Sequence, residues 1–247
     1  MAGTFKTEAV VLRSIRFGEA DRILHLYSAE RGRIGAIAKG ARKPRSRFGG
    51  RLEPFFRLDL ILHEGRGDLA TVTAAATRDG YGSLRSDGAA LGAAARGCDA
   101  VLRLLDAAEP NPPAYNLLCR YLEILDGWAA SPQRRQAEAG DSLPSALSFR
   151  LKLALAAGFA PELASCARCG EGDHLSGFSG AAGGVVCPSC ERDSFPLSGE
   201  AHAFMVAALA RPLAEAPQAE ERALRLVERA VGETLEHHAH VRLRAAA

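Results

Sequence analysis

Two Cys-x-x-Cys pairs constrain the fold of this 247-residue chain more than any other feature of its sequence. The first pair is Cys166 and Cys169, and the second pair, Cys187 and Cys190, follows after seventeen residues. Two residues between thiols let one tight turn direct both sulfur atoms at a common point, and this spacing is typical of zinc sites. Four thiolates leave no open coordination position on zinc. We therefore predict one structural Zn²⁺ ion, bound by these four cysteines.

The cysteine pairs belong to a zinc module that we predict over residues 162–193. The residues between the pairs are rich in glycine and offer few side chains for a core of their own, so the metal would order them. The alternative is a redox-active dithiol, but that motif normally opens a helix after a strand, unlike this segment. The other cysteines, Cys98 and Cys119, lie on apolar helical stripes and are predicted to be core residues.

The first 80 residues show the short apolar and polar alternation that is typical of β-strands. The clearest stretch is residues 56–63, in which Phe56, Leu58, Leu60 and Leu62 share one face. Four further strands are predicted over residues 8–15, 22–27, 34–38 and 68–74. Five short strands without a long helix indicate a small closed barrel of the OB type, because closure leaves no exposed edge. A five-stranded open sheet is the alternative.

After a linker predicted over residues 78–92, the apolar residues recur at helical spacing. Helices are predicted over residues 91–108, 113–128, 144–158, 198–210 and 217–240, with a polar loop over residues 131–141. The fold class is therefore α+β. An OB-type nucleic-acid-binding barrel in residues 1–80 precedes an α-helical domain in residues 81–247, and the four-cysteine module is an insertion in that domain.

Charge is distributed unevenly along the chain. Its net charge is +2, but residues 1–78 carry 15 Lys or Arg against 8 Asp or Glu, which is +7, and the remainder carries −5. A basic segment next to an acidic one indicates an anionic partner, most commonly nucleic acid, and the alternative is a basic surface that only keeps the protein soluble. Residues 39–51, which we call the basic segment, contain six cations and no anion. We predict phosphate contacts by these six: Lys39, Arg42, Lys43, Arg45, Arg47 and Arg51.

The basic segment lies between the third and fourth predicted strands and is expected to project from the barrel as a flexible loop. Phe48, set among the cations, has two interpretations: it stacks on a nucleic-acid base, or it plugs the mouth of the barrel. The last predicted helix also carries arginines, but glutamates share it, which favours an ordinary solvated face.

Several function classes lack their signals in this sequence. No 18-residue apolar run and no N-terminal secretion signal is present, so we expect a soluble intracellular protein without a membrane partner. No P-loop, dinucleotide-binding glycine motif or nucleophile elbow appears, and no catalytic constellation is evident. We therefore predict a binding protein and not an enzyme.

Five stretches of the sequence, taken together and in this order, resemble the bacterial recombination mediator RecO family. They are Thr7–Leu12, Gly18–Leu24, Lys39–Arg42, Leu52–Phe55 and Gly158–Leu163, the last of which precedes the cysteines. The resemblance implies an OB-fold, a helical domain with a zinc module, and DNA contact at Lys39 and Arg42. It also implies binding of single- and double-stranded DNA, annealing of complementary strands, and help in loading RecA at gaps.

The resemblance implies protein partners as well. They are RecR and the single-stranded-DNA-binding protein, with RecF as a further candidate. We expect this chain in the cytoplasm, in association with the nucleoid. Two other functions stay open. An RNA-binding module of translation or ribosome assembly would also combine a basic barrel with a zinc knuckle. A Cys-x-x-Cys oxidoreductase would require a metal-free dithiol.

Overall fold

The computed structural model describes residues 3–65, 67–105, 108–131 and 143–246. The chain divides into two compact units, residues 1–134 and 135–247. The barrel strands and the first helices belong to the first unit, and the cysteine module and the remaining helices belong to the second.

The first unit is built on a closed five-stranded barrel. Its strands are β1 (Thr4–Phe17), β2 (Asp21–Ser28), β3 (Gly32–Ala38), β4 (Arg57–His63) and β5 (Ala70–Asp79). They are hydrogen-bonded in the order β1-β2-β3-β5-β4, and β1 pairs with β4 to close the barrel. The β3–β5 pair is parallel, whereas the other pairs are antiparallel. This arrangement confirms the predicted barrel and excludes the open sheet.

A bulge in β1 decides which side chains of that strand leave the barrel. Up to the bulge, Ala9 and Val11 point into the barrel core, which also contains Leu24 of β2. The pairing with β2 shifts register between Val11 and Arg13. The extra residue changes the alternation, so that Arg13 and the odd-numbered residues after it point outward.

The helices of the first unit begin soon after β5. They are α1 (Gly82–Ser86), α2 (Gly88–Leu104) and α3 (Pro112–Ala130). The Asp87 side chain accepts hydrogen bonds from two backbone amides at the start of α2, and Asn111 caps α3 in the same way. The linker predicted over residues 78–92 is therefore wrong, because buried Leu84 and the Asp87 cap make this stretch helical. The predicted domain boundary near residue 80 stays a prediction. In the structure, helices α1, α2 and α3 group with the barrel strands in one compact unit.

The second unit combines helices with a small sheet. Its helices are α4 (Leu143–Ala156), α5 (Gly199–Ala210) and α6 (Glu221–His238), and they pack against one another. The sheet has the order β7-β6-β8, with β6 (Gly177–Ser179), β7 (Gly184–Val186) and β8 (Phe195–Pro196). The loop predicted over residues 131–141 lies, except for its first residue, outside the described residues. Among the described helices, none is long and apolar enough to cross a membrane.

Candidate functional site

The four cysteines of the two pairs meet at one point in the second unit. Their sulfur atoms all lie within 4.8 Å of one another, and none of the four forms a disulfide. The Sγ atoms of Cys169 and Cys187 are 3.7 Å apart. A tetrahedral ion with metal–sulfur bonds of about 2.3 Å separates its ligands by about 3.8 Å. The cluster therefore has the size and the donor set for one metal ion.

Two short backbone turns aim these sulfur atoms. After the first pair, the Gly170 amide donates to the Cys166 carbonyl at 2.8 Å, and Gly170 has a φ of 80°. A side chain is strained in this left-handed conformation, so glycine is the suitable residue. In the second pair, the Cys190 amide donates to the Cys187 carbonyl at 2.9 Å within a 3₁₀ turn. Each turn presents both of its thiols to the same side.

The residues between the pairs form a hairpin that packs against its surroundings. Strands β6 and β7 bury Phe178 and Val185 completely, and Phe178 contacts Phe195 with ring centroids 5.7 Å apart. The His238 ring of α6 lies 2.9 Å from the Gly180 carbonyl. The expectation that only a metal could order this segment is therefore wrong, because the hairpin has apolar contacts of its own.

Thiol ionisation in the cluster is uneven. A backbone hydrogen bond from Cys187 lowers the pKa of the Cys166 thiol to about 6. The neighbouring Cys169 thiol raises the pKa of Cys190 to about 12. Four thiolates can share this volume only when a cation compensates their charge, which fits a metal-binding role. By contrast, Cys98 and Cys119 are buried in the first unit, as predicted, and burial raises the pKa of both.

The basic segment forms a folded cap on the barrel. Ala41, Phe48 and Leu52 belong to the barrel core, and only 1% of the Phe48 surface is exposed. Phe48 therefore plugs the barrel, and the alternative of stacking on a base is wrong. The ring is buried because the barrel mouth removes its apolar surface from water.

Backbone hydrogen bonds fasten the start of the basic segment to the turn between β1 and β2. The Arg42 amide donates to the Ala20 carbonyl at 2.8 Å, and the Gly40 amide donates to the Asp21 carboxylate at 2.7 Å. The Arg42 guanidinium reaches the Gly18 carbonyl at 3.3 Å. Buried apolar side chains and hydrogen bonds therefore both hold the basic segment on the barrel. The prediction that it projects as a flexible loop is wrong.

All six cations of the basic segment remain exposed. Within the described ranges, no carboxylate lies within 4.0 Å of any of them. Arg47 and Arg51 donate instead to backbone carbonyls, at 3.3 Å to Val72 and Phe48 respectively. The structure therefore brings the six predicted residues onto one loop with their charge uncompensated.

Several other arginines of the chain pair with carboxylates. On the barrel, Arg22 pairs with Glu53 at 2.6 Å. On α6, Arg229 pairs with Glu233 at 2.7 Å, which supports a solvated face for this helix. These paired arginines differ from the cations of the basic segment, none of which has a carboxylate within 4.0 Å among the described residues.

One surface of the barrel was missed at the sequence level. Arg13, Ile15 and Phe17 point outward after the β1 bulge, and Ile15 and Phe17 are 41% and 50% exposed. Strict alternation along β1 does not predict this, since a bulge leaves no clear sequence signal.

The fold and the site define a class: an OB-type barrel with a basic loop, joined to a helical unit that carries a four-thiol metal module. Comparison with known proteins identifies the family. Residues 1–81 match the family model for the N-terminal part of recombination protein O, and residues 85–246 match the model for its C-terminal part. The chain belongs to the recombination protein O (RecO) family.

Individual relatives agree with the family models. The DNA repair protein RecO of Rubrobacter xylanophilus is 41% identical over 234 residues, which cover 92% of this chain and 90% of the relative. The DNA repair protein RecO of Bifidobacterium animalis subsp. lactis is 40% identical, over 75% of this chain and 73% of the relative. Membership in this family assigns the chain a role in DNA repair, and it confirms the resemblance drawn from the sequence.

Proposed function

We propose that this chain is a non-enzymatic recombination mediator that binds single- and double-stranded DNA through the basic segment. The observation that carries the proposal is a set of six exposed cations in a chain of a DNA repair family, for which the described residues provide no carboxylate partner. Cations already paired within the protein would have to break an ion pair before they could bind phosphate. As far as the described residues go, these six cations have no ion pair to break.

The chemistry of the basic segment suits a phosphate backbone. Four of its six cations are arginines, whose planar guanidinium groups donate two parallel hydrogen bonds to phosphate oxygens. Phosphate contacts carry no sequence information, so binding is expected to be independent of base sequence. Each contact releases counterions, so the affinity should fall steeply with salt.

We propose further that the chain anneals complementary DNA strands. Two strands repel each other as polyanions, and a cationic cap can hold one strand while a second approaches. Base pairing then supplies the free energy, so that the reaction needs no nucleotide hydrolysis. The family resemblance adds cooperation with RecR in loading RecA onto gaps coated with single-stranded-DNA-binding protein, RecF as a further partner, and a cytoplasmic, nucleoid-associated location.

For the metal module, we propose that the four cysteines bind one Zn²⁺ ion with a structural role. Four thiolates are soft ligands that select zinc over magnesium or calcium, and they occupy every position of a tetrahedral ion. The ion would cross-link the two turns and contribute to the stability of the second unit. It would take no part in DNA chemistry.

The central test is to neutralise three of the six cations together, as Lys39→Gln, Arg42→Gln and Lys43→Gln. Affinity for single-stranded and duplex DNA should fall. The negative slope of log K against log salt should become shallower, by about 2 for single strands and about 3 for duplex. Fluorescence anisotropy over a salt series measures both. The matched control neutralises three exposed arginines that pair with carboxylates: Arg120→Gln, Arg225→Gln and Arg242→Gln. Equal affinity and slope in both triple variants would contradict the proposal.

A further inference from the structure

The barrel is closed between β3 and β5 by a short contact. These two strands pair in parallel where residues 36–37 of β3 meet residues 70–71 of β5. β3 ends at Ala38, whereas β5 continues to Asp79. Residues 72–79 of β5, which we call the open edge, therefore have β4 on one side and none of the described strands on the other.

The hydrogen bonds of β4 determine which backbone groups of the open edge are free. Consecutive residues of an antiparallel strand direct their N–H and C=O groups alternately to one neighbour and to the other. Beyond the two ends of the β1–β4 ladder, the Glu64 amide donates to the Gly3 carbonyl, and the Phe56 carbonyl accepts from the Val11 amide. The register between these points is regular. The even-numbered residues of β4 therefore bond to β1, and the odd-numbered ones bond to β5.

Two residues of the open edge lie opposite even-numbered residues of β4. Ala75 lies opposite Leu60, and Thr77 lies opposite Leu58. Because these leucines bond to β1, the N–H and C=O groups of Ala75 and Thr77 point away from β4 to the open side. Most of residues 73–78 are exposed to solvent. Unpaired backbone groups in this position are a template for another strand.

Two bulges limit the length of strand that the open edge can take. The register with β4 shifts at Thr73 and again at Arg78, which leaves a regular part over residues 74–77. Bulges are a common protection of strand edges against unselective pairing. The open edge therefore suits one short strand in a defined position.

Small side chains leave space beside the regular part. Ala74 and Ala76 lie next to Ile61 on the outward face of the barrel, and they line a groove of about 520 Å³. Alternate side chains of an added strand would point to this face of the sheet. The groove can accept them because alanine fills little of it.

A cation marks one end of the open edge. The Arg47 guanidinium donates to the Val72 carbonyl at 3.3 Å, and no carboxylate of the described residues lies within 4.0 Å of it. An acidic side chain on the added strand would meet this charge. A DNA backbone would also suit the cation, but it offers acceptors only and would leave the carbonyls of Ala75 and Thr77 unpaired. A polypeptide strand offers both donors and acceptors.

We propose that the open edge of β5 binds an extended segment of a protein partner by strand addition, with a carboxylate of that segment next to Arg47. In this mode of recognition, main-chain hydrogen bonds provide affinity and alternate side chains provide selectivity. The open edge is a protein-docking surface in addition to the proposed DNA-binding function. It does not rest on that function, because its test contains no DNA in the binding step.

The test begins with random peptides of about ten residues, the upper length of an ordinary strand, displayed on phage and selected on the full chain. Enriched sequences should alternate apolar or β-branched residues with polar ones and carry an acidic residue. The enriched peptides are then synthesised. At about ten times its Kd, such a peptide should slow amide hydrogen exchange of Ala75 and Thr77 by about tenfold. Exchange of the Ala76 amide, which already bonds to β4, should stay unchanged.

A pair of variants at one position tests the backbone contact. Thr77→Pro removes the N–H that points to the open side and keeps the bonds to β4, since an edge strand tolerates proline there. It should weaken peptide binding by about tenfold, from the lost hydrogen bond and the obstructing ring. Thr77→Val changes the same side chain but keeps the N–H, and it should bind as the unchanged chain does. Fluorescence of Trp128, the chain's one tryptophan, checks that the first unit stays folded.

The charge contact has its own variant. Arg47→Gln should weaken peptide binding by about twofold to fivefold, as expected for one exposed ion pair, and the loss should disappear at high salt. Peptide binding is measured by fluorescence anisotropy in all variants.

Three outcomes would overturn the inference. The first is equal peptide affinity of Thr77→Pro and Thr77→Val, or unchanged exchange of the Ala75 and Thr77 amides with bound peptide. The second is a dimer in sedimentation velocity that Thr77→Pro converts to a monomer, which would assign the edge to a second copy of the chain. The third is slower exchange of these two amides with oligothymidylate, which would assign the edge to DNA. Failure of the proposed DNA-binding function would appear elsewhere, as unchanged DNA affinity in the triple variant of the basic segment.

Discussion

Phe48 shows how a single side chain converts a run of cations into an ordered surface. Its ring lies in the barrel core with Leu52, while the guanidinium of the preceding Arg47 lies 4.9 Å from the ring centroid on the outside. Six like charges on a free loop would spread apart to reduce their repulsion. Anchoring the loop at Phe48 offsets that tendency and keeps the cations at defined positions.

Replacing this anchor tests its role. Phe48→Ala should destabilise the first unit by about 3–5 kcal/mol, because it removes a fully buried ring and leaves a cavity. Urea unfolding followed by Trp128 fluorescence measures the loss. The control is Arg47→Ala, which removes an exposed side chain and should cost less than about 1 kcal/mol. A Phe48→Ala protein of unchanged stability but weaker DNA binding would instead favour base stacking by Phe48.

The cysteine turns and the hairpin between them form the element that defines the second unit. The Gly184 backbone approaches Glu162 so closely that an added Cβ would lie 2.3 Å from the Glu162 carbonyl oxygen. The Val185 amide donates to this same carbonyl at 2.9 Å. The metal site and the hairpin are therefore parts of one folded element, in which the cross-link and the apolar packing act together.

Loss of one ligand should affect this element first. Cys166→Ser should reduce bound zinc from one ion per chain to none and lower the stability of the second unit by at least about 2 kcal/mol, or about 10 °C in melting temperature. Elemental analysis and thermal unfolding measure the two effects. Ser189→Ala, in the exposed turn between Cys187 and Cys190, should keep both the metal and the stability. A stable, metal-free Cys166→Ser protein with native unfolding would show that the ion is dispensable.

The two proposed activities of this chain fall in different units. The six cations of the basic segment lie in the first unit, whereas the four clustered cysteines lie in the second. If the basic segment carries the electrostatic step of strand annealing, as we propose, the second unit should not be required for that step.

The proposed annealing activity belongs to the chain as a whole, and an annealing assay tests it. With complementary strands and no nucleotide, the chain should accelerate annealing, and the Lys39→Gln, Arg42→Gln, Lys43→Gln variant should lose most of that acceleration at moderate salt. The reason is that fewer cations remain to offset the repulsion between the two strands. The rate is measured as the loss of donor fluorescence when a donor-labelled strand anneals to an acceptor-labelled complement. An annealing rate that is independent of these three cations would exclude the basic segment as its source.

Local patterns in the sequence were sufficient for much of this molecule. The spacing of Cys166, Cys169, Cys187 and Cys190 predicts a four-thiol cluster, because a two-residue interval determines the geometry of a turn. Alternation and helical periodicity predict the strands of the barrel and most of the helices, since each pattern follows from the geometry of one element. The charge of the basic segment is likewise a property of thirteen consecutive residues.

Long-range contacts determined the rest. Whether Phe48 faces water or the core depends on the barrel mouth formed by strands distant in sequence. Which arginines are free depends on where carboxylates such as Glu53 come to lie. The bulge that turns Ile15 and Phe17 outward is a property of the pairing between β1 and β2. None of these depends on local sequence alone, because each results from two segments meeting in space. The sequence thus determined the elements and the four clustered thiols, and the tertiary structure decided which cations and apolar side chains remain exposed.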